Sequence, residues 1–238
     1  MRLSATLLVL SVAFGAVACQ PPADTREAGD PTEAPADLAE TSEEPDPAPF
    51  DLLRAEGAQV GWVEAQVGPA RTVVVGEREY DIGGCTVRMN AEDGVVTGYA
   101  VPMNDACSLL VLPVLAHYGL PETVEMTFGQ FAQARTNPVF RADCLHLCGN
   151  AADPWVYLES PGPRVTPGIR ASAPLVDGDI IDASFDLRDR MRAERGDDYV
   201  IDARFNCDDD WSAPAREALA PFRIQEIEVG YTPIGRCE

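Results

Sequence analysis

The chain has 238 residues and a formal charge of −21, with 39 acidic side chains against 18 lysines and arginines. That excess argues against nucleic acid and anionic lipid surfaces as partners, because contact would add like-charge repulsion instead of releasing counterions, and it favours cationic ones. No Gly-x-Ser-x-Gly elbow occurs, and the only two histidines, His117 and His146, do not form a His-Glu-x-x-His metal-hydrolase pattern.

The chain opens with Arg2, an apolar run from Leu3 to Val17, and the small residues Ala16-Val17-Ala18 just before Cys19. A run of about 15 apolar residues is short for a membrane span and fits an export signal. The segment resembles the lipobox of bacterial lipoproteins, with Ala16 standing where that pattern usually has leucine. The resemblance implies that Cys19 is diacylated and becomes the mature N-terminus. Because Gln20 is not aspartate, it further implies anchoring in the outer membrane, facing the periplasm or the cell surface. The alternative is cleavage by ordinary signal peptidase, which leaves a soluble protein beginning at Cys19.

Residues 19–50 read as a tether. Prolines from Pro21 to Pro49 stiffen it, acidic residues from Asp24 to Asp46 repel one another against Arg26 alone, and Leu38 is almost its only large apolar side chain before Phe50. Such a segment buries too little surface to offset the entropy of ordering, and it extends over about 50 to 90 Å as a spacer.

The domain organisation expected is therefore a signal peptide over 1–18, an acidic Pro-rich tether over 19–50, and a globular domain over 51–238 with a subdivision near 120. With Cys19 assigned to lipid, Cys85, Cys107, Cys144, Cys148, Cys207 and Cys237 remain, an even set that in an oxidising compartment implies up to three disulfides. Six cysteines allow 15 pairings. Pairing neighbours in chain order joins Cys85 to Cys107, Cys144 to Cys148, and Cys207 to Cys237.

Within the domain, Asp51 is placed to cap a helix carrying Leu52, Ala55, Val60, Val63 and Val67, stopped by Gly68-Pro69. Strands follow over Thr72 to Ile82, Cys85 to Met89 and Val95 to Val101, separated by Gly83-Gly84 and by the turn Asn90 to Gly94. Ser108 to Tyr118 reads as a strand before Pro113 or a helix after it. Thr127-Phe128-Gly129-Gln130 has capping-box spacing and starts a short helix ending near Asn137-Pro138. Trp155 to Glu159 and Ile169 to Ala173 read as paired strands. Ile180, Ile181, Phe185 and Met191 read as one face of a helix stopped by Gly196. Tyr199 to Cys207 reads as a strand, Ser212 starts a helix, and Arg223 to Tyr231 closes as a strand with Ile227, Val229 and Tyr231 on one face. This uneven alternation, without Gly-rich crossover turns, predicts an α+β fold with a mainly antiparallel sheet.

The passage from Val60 to Val101, with its helix, Val67-Gly68-Pro69, a strand through Tyr80 and a hairpin at Asp93-Gly94, resembles small outer-membrane lipoprotein domains of the BamE (SmpA/OmlA) type. That fold is similar to the β-lactamase inhibitor protein, which carries two tandem copies; the stretch from Thr127 to Trp155 and beyond would be the second. The chain departs from the family in its length, its cysteines and the opening Gly61-Trp62-Val63. The resemblance implies a binding or scaffolding role without catalysis, and a protein partner in the envelope.

Cys144-Leu145-His146-Leu147-Cys148 is the most distinctive local feature. Two thiolates flanking His146 could hold copper(I) or zinc, or exchange disulfides, whereas on a helix the two cysteines are close enough for a local structural bridge. Asp177-Gly178-Asp179 with Asp182 departs from the calcium-loop pattern, since Ile181 and Asp182 fall where an oxygen ligand and then glycine are needed. Asp208-Asp209-Asp210 reads as a solvated turn. Arg188, Arg190, Arg192 and Arg195 sit at pairing distance from Asp186, Asp189 and Glu194 on one exposed helix. Trp62, Trp155 and Trp211 read as core or rim residues. The sequence thus points to a lipid-anchored envelope binding protein with no cofactor and no catalytic residue, the alternative being a thiol or copper-handling protein built on Cys144 and Cys148.

Overall fold

A computed structural model describes residues 50–148, 153–163, 166–176 and 178–234. The signal peptide, Cys19, nearly all of the tether, Asp177 and Cys237 lie outside the described residues.

Asp51 starts the fold as a cap, its carboxylate accepting from the Leu53 N–H at 3.1 Å, but over a 3-10 turn at Leu52–Arg54 and not a continuous helix. Gly57, at φ +76, ends that turn, and the chain pairs with the later hairpin through Gly57 N–H to Val96 O (2.8 Å) and Val60 N–H to Gly94 O (2.9 Å) before helix α1, Val60–Val67. A meander follows: β1, Thr72–Val74; β2, Glu77–Ile82; β3, Cys85–Glu92; and β4, Val95–Pro102. The turn between β3 and β4 places Asp93 and Gly94 at φ +51 and +79, the two positive values that a two-residue hairpin loop of this twist requires. The long first strand expected from the sequence is split by a two-residue turn at Val75-Gly76, in which only Gly76 takes a positive φ (+81).

Helix α2, Ser108–His117, resolves the ambiguity at Pro113 in favour of one continuous helix. The proline removes a single bond toward Leu109, whose side chain stands in solvent. Helix α3, Phe128–Ala134, has the full capping box: the Gln130 N–H donates to Thr127 Oγ1 (3.3 Å) and the Thr127 N–H donates to Gln130 Oε1 (2.9 Å). Then come β5, Val139–Ala142; β6, Trp155–Ser160; β7, Ile169–Pro174; α4, Gly178–Arg195; α5, Asp197–Ile201; a 3-10 turn at Arg204–Asn206; α6, Ser212–Leu219; and β8, Glu226–Val229.

The strands form one eight-stranded sheet in the order β1-β2-β3-β4-β8-β7-β6-β5, and every neighbouring pair is antiparallel. The protein is α+β with an antiparallel sheet and disulfide staples, as its sequence pattern predicts. A half-turn about an axis normal to the sheet, between β4 and β8, exchanges β1 to β4 with β5 to β8 in both order and direction. Each set is preceded by a helix, α1 or α3, and the second set carries α4 to α6 between its last two strands.

One sheet face is the core side. Tyr80, Val87, Met89, Tyr99, Val101, Leu158, Ile169, Ala171, Ile227 and Val229 point to it and are buried with Val63 of α1, Val114 of α2, and Phe128 and Phe131 of α3. The β5 edge is closed by side chains: Phe140 N–H donates to Ser212 Oγ (3.0 Å), and the Asn206 amide bonds both the N–H and the C=O of Ala142 (3.0 and 2.8 Å).

Three expectations are corrected. Residues Tyr199 to Cys207 are α5 and a 3-10 turn, not a strand; α5 buries the adjacent Tyr199 and Val200, the 3-10 turn buries Phe205, and Ala203 at φ +52 separates the two. On α4 the buried stripe is Ile180, Ser184, Leu187 and Met191, while Phe185 is 40% exposed beneath the Arg188 guanidinium at 4.1 Å. Tyr231 does not share the face of Ile227 and Val229. The chain turns at Gly230 (φ +69) and the Tyr231 ring lies over Arg170 on the opposite side of the sheet.

Candidate functional site

Among the described residues the helices cover one face of the sheet. On the other face the residues between the core positions of each strand meet, beside the chain after β8, whose Tyr231 ring lies over Arg170 and whose Ile234 N–H donates to Glu159 Oε1 at 3.4 Å. The registers Glu77↔Asn90, Arg88↔Ala100, Ala100↔Glu228, Arg170↔Glu228 and Glu159↔Arg170 place them side by side. Gly98 and Ala100 of β4 put no bulk in the middle. Arg88 of β3 therefore reaches across β4 to the Glu226 carboxylate of β8, with its other nitrogen 3.3 Å from Glu77.

Beside it, Arg170 is held from every side. Its Nε donates to Glu228 Oε1 at 3.0 Å, Nη2 donates to the second oxygen of the same carboxylate, and Nη1 donates to Glu159 at 3.3 Å. The rings of Tyr157 and Tyr231 lie 4.4 and 5.0 Å from its central carbon. The Tyr157 hydroxyl donates to Asp143. A pocket of about 540 Å³ opens over this lattice, lined by Glu77, Arg88, Asn90, Trp155, Tyr157, Arg170, Glu226, Glu228 and Thr232.

Burial raises the Glu226 carboxyl above the usual carboxylate range, Arg88 opposes that shift and neighbouring Glu228 adds to it. Burial likewise raises Glu159 against the pull of Arg170. Burial acts to lower both guanidiniums, but the surrounding carboxylates outweigh it and hold them more firmly charged than usual. The face is an array of hydrogen-bonded charge pairs.

The residues singled out from the sequence lie elsewhere. Cys85 bonds to Cys107, tying the start of β3 to the start of α2, and Cys144 bonds to Cys148. The latter pair spans a loop, not a helix, with Leu147 in the left-handed region at φ +55 and Leu145 buried beneath. The two sulfurs are bonded to each other. Among the described residues no group of three or more His, Cys, Asp or Glu side chains converges as a metal-binding set. Cys207 is disulfide-bonded, and Cys237, the partner expected for it, lies outside the described residues.

His117 packs edge-on against Tyr118 at 5.2 Å. The aspartates at 208–210 are spent locally: Asp208 accepts from the Tyr199 hydroxyl, Asp209 pairs with Arg141 and Asp210 with Arg195. On α4, Arg188 and Arg192 share Asp189, and Arg192 also reaches Asp197. Trp62 and Trp211 belong to the core and its margin, whereas Trp155 stands at the pocket.

Arg88, Arg170, Glu226 and Glu228 were not singled out from the sequence. The signal is nevertheless present in Glu226-Ile227-Glu228-Val229 and Ile169-Arg170-Ala171, where charge alternates with apolar residues at strand period. No protein-family model, no curated protein and no solved structure matches the chain.

Proposed function

We propose that the chain is an exported outer-membrane lipoprotein, anchored through Cys19, whose α+β domain is a non-catalytic binding module that docks an envelope protein on the open face of its sheet. One observation carries the reading. The face opposite the helices holds Arg170, Glu159, Glu226 and Glu228, each 9% exposed or less, in a fixed lattice around an open pocket. Buried charges on the sheet face away from the helices are expensive to maintain for stability alone. A tether over residues 19–50 would hold such a face away from the membrane, and the half-turn relation between the two four-stranded sets is in keeping with the resemblance to tandem helix-sheet domains. The test is a photo-crosslinking residue placed at Asn90 in the pocket and, separately, at Gln133 on α3, in cells carrying the full chain. A crosslinked partner at Asn90 only supports the reading; crosslinks independent of position, or none, overturn it. Cys19→Ser should abolish acyl labelling and membrane association while the domain remains folded.

A further inference from the structure

Resting on that reading, we infer that the docked partner presents a cationic protein segment, one of whose lysine or arginine side chains enters the pocket beside Glu226 and Glu228 against the wall formed by Trp155.

The charge count at the site sets the sign. Among the described residues Glu77, Glu159, Glu226 and Glu228 face Arg88 and Arg170, so four carboxylates pair with two guanidiniums there. Both cations are already committed. Arg170 gives Nε, Nη1 and Nη2 to carboxylates and packs its guanidinium against the Tyr157 and Tyr231 rings; Arg88 gives Nη1 to Glu77 and Nη2 to Glu226. An incoming anion would have to displace a carboxylate from a buried pair, which is costly.

An incoming cation meets no such barrier. Glu226 engages Arg88 through Oε1, and among the described residues its Oε2 has no donor. Glu226 and Glu228 lie two residues apart on the same side of β8, and the Glu228 carboxylate raises the electrostatic cost of charge on Glu226; a cation between them relieves it. Trp155 lines the same pocket, and an indole ring attracts a cation that reaches its face. The net charge of −21 then draws basic surfaces in from a distance. The pocket opens on a sheet face and among the described residues holds no converging metal-ligand set, which suits a side chain delivered by a folded or extended protein segment.

The test measures binding of labelled oligo-arginine and oligo-glutamate peptides to the full chain at low and at physiological salt. Wild type, Asn90→Lys, Thr232→Lys and Gln133→Lys are compared. Asn90 and Thr232 are exposed pocket residues and Gln133 is an exposed α3 residue, so the three variants make the same charge change without touching the buried pairs. Oligo-arginine should bind wild type and Gln133→Lys alike and bind both pocket variants at least about fivefold more weakly, with the difference shrinking as salt rises. Equal binding to all four proteins, or oligo-glutamate binding as well as oligo-arginine, overturns the inference. A partner crosslinked at Asn90 that docks through a neutral or acidic surface overturns the cationic assignment alone and leaves sheet-face docking standing; loss of position-dependent crosslinking overturns both.

Discussion

Arg170 of β7 sits directly across from Glu228 of β8 in the strand register, and its guanidinium grips both oxygens of that carboxylate while the Tyr157 and Tyr231 rings lie 4.4 and 5.0 Å from its central carbon. Glu159 on the other neighbouring strand takes the third nitrogen. Removing the cation alone strands two buried carboxylates. Arg170→Met should therefore cost about 3 to 5 kcal/mol in urea unfolding, whereas Arg170→Met combined with Glu228→Leu should recover a large part of that loss. A single substitution no more costly than the double one would show that the pair adds nothing by its geometry.

Glu226 gives the face a pH signature. Burial first, then Glu228, raise its carboxyl above the ordinary value of 4.5 against the pull of Arg88, and burial raises Glu159 in the same direction. A raised carboxyl binds its proton more tightly in the folded state than in the unfolded one. Its stabilising contribution is complete below about pH 4.5 and is lost as pH rises through the folded value. Asp189 and Asp197, held below 3.8 by Arg188 and Arg192 respectively, act in the opposite sense and only at lower pH, where their contribution is lost as pH falls. Stability should accordingly rise on acidification from neutrality to about pH 4.5, and Glu226→Gln should flatten that rise. Identical pH slopes for the variant and wild type would refute the assignment.

The junction between the two four-stranded sets depends on two glycines. A Cβ on Gly98 would lie 2.5 Å from the carbonyl oxygens of both Val229 and Gly230, and one on Gly230, itself at φ +69, would lie 2.3 Å from Thr97 O. All of these atoms are backbone, which cannot swing aside. Gly98→Ala and Gly230→Ala should each destabilise by about 1 to 3 kcal/mol or more, seen as a lowered Tm. Gly178→Ala, where a Cβ meets nothing within 4 Å, is the control that should not show the loss.

Local chemistry made much of the fold legible in the sequence. Asp93-Gly94 wrote its hairpin, Thr127 with Gln130 wrote the start of α3, and the β6–β7 pair followed from alternation between Trp155 and Ala173. What was lost depended on tertiary context. β5 is only four residues long, and its outer edge is completed by Ser212 and Asn206 from 64 to 72 residues away. Tyr199 to Ile201 is an apolar run that suits a strand by composition but is taken up as a helical turn packed behind α4. The site was missed for the same reason: Arg88, Arg170, Glu226 and Glu228 are ordinary charges in an acidic chain until the order β3-β4-β8-β7 brings them together.

The two described cysteine bridges should part under graded reduction. Cys85 and Cys107 are each 1% exposed and close a separation of 22 residues, worth about 3 kcal/mol of unfolded-state entropy. Cys144 and Cys148 close a separation of only 4, worth about 2 kcal/mol by the same relation, and their loop carries Leu147 at 72% exposure. A reductant reaches the second sulfurs without opening the core, so in a glutathione series followed by thiol labelling and mass spectrometry Cys144 and Cys148 should be modified first. Unfolding should accompany only the loss of the Cys85–Cys107 bridge. The same series separates a structural loop from a thiol or copper-handling one. With a structural bridge, the oxidised protein takes up no stoichiometric copper(I) under a competing chelator, and Cys144→Ser with Cys148→Ser shifts the stability by about 2 kcal/mol or less while leaving partner crosslinking at Asn90 intact. Reduction at the potential of catalytic dithiols, or tight copper uptake that the double variant abolishes, would transfer the function from the sheet face to Cys144, His146 and Cys148.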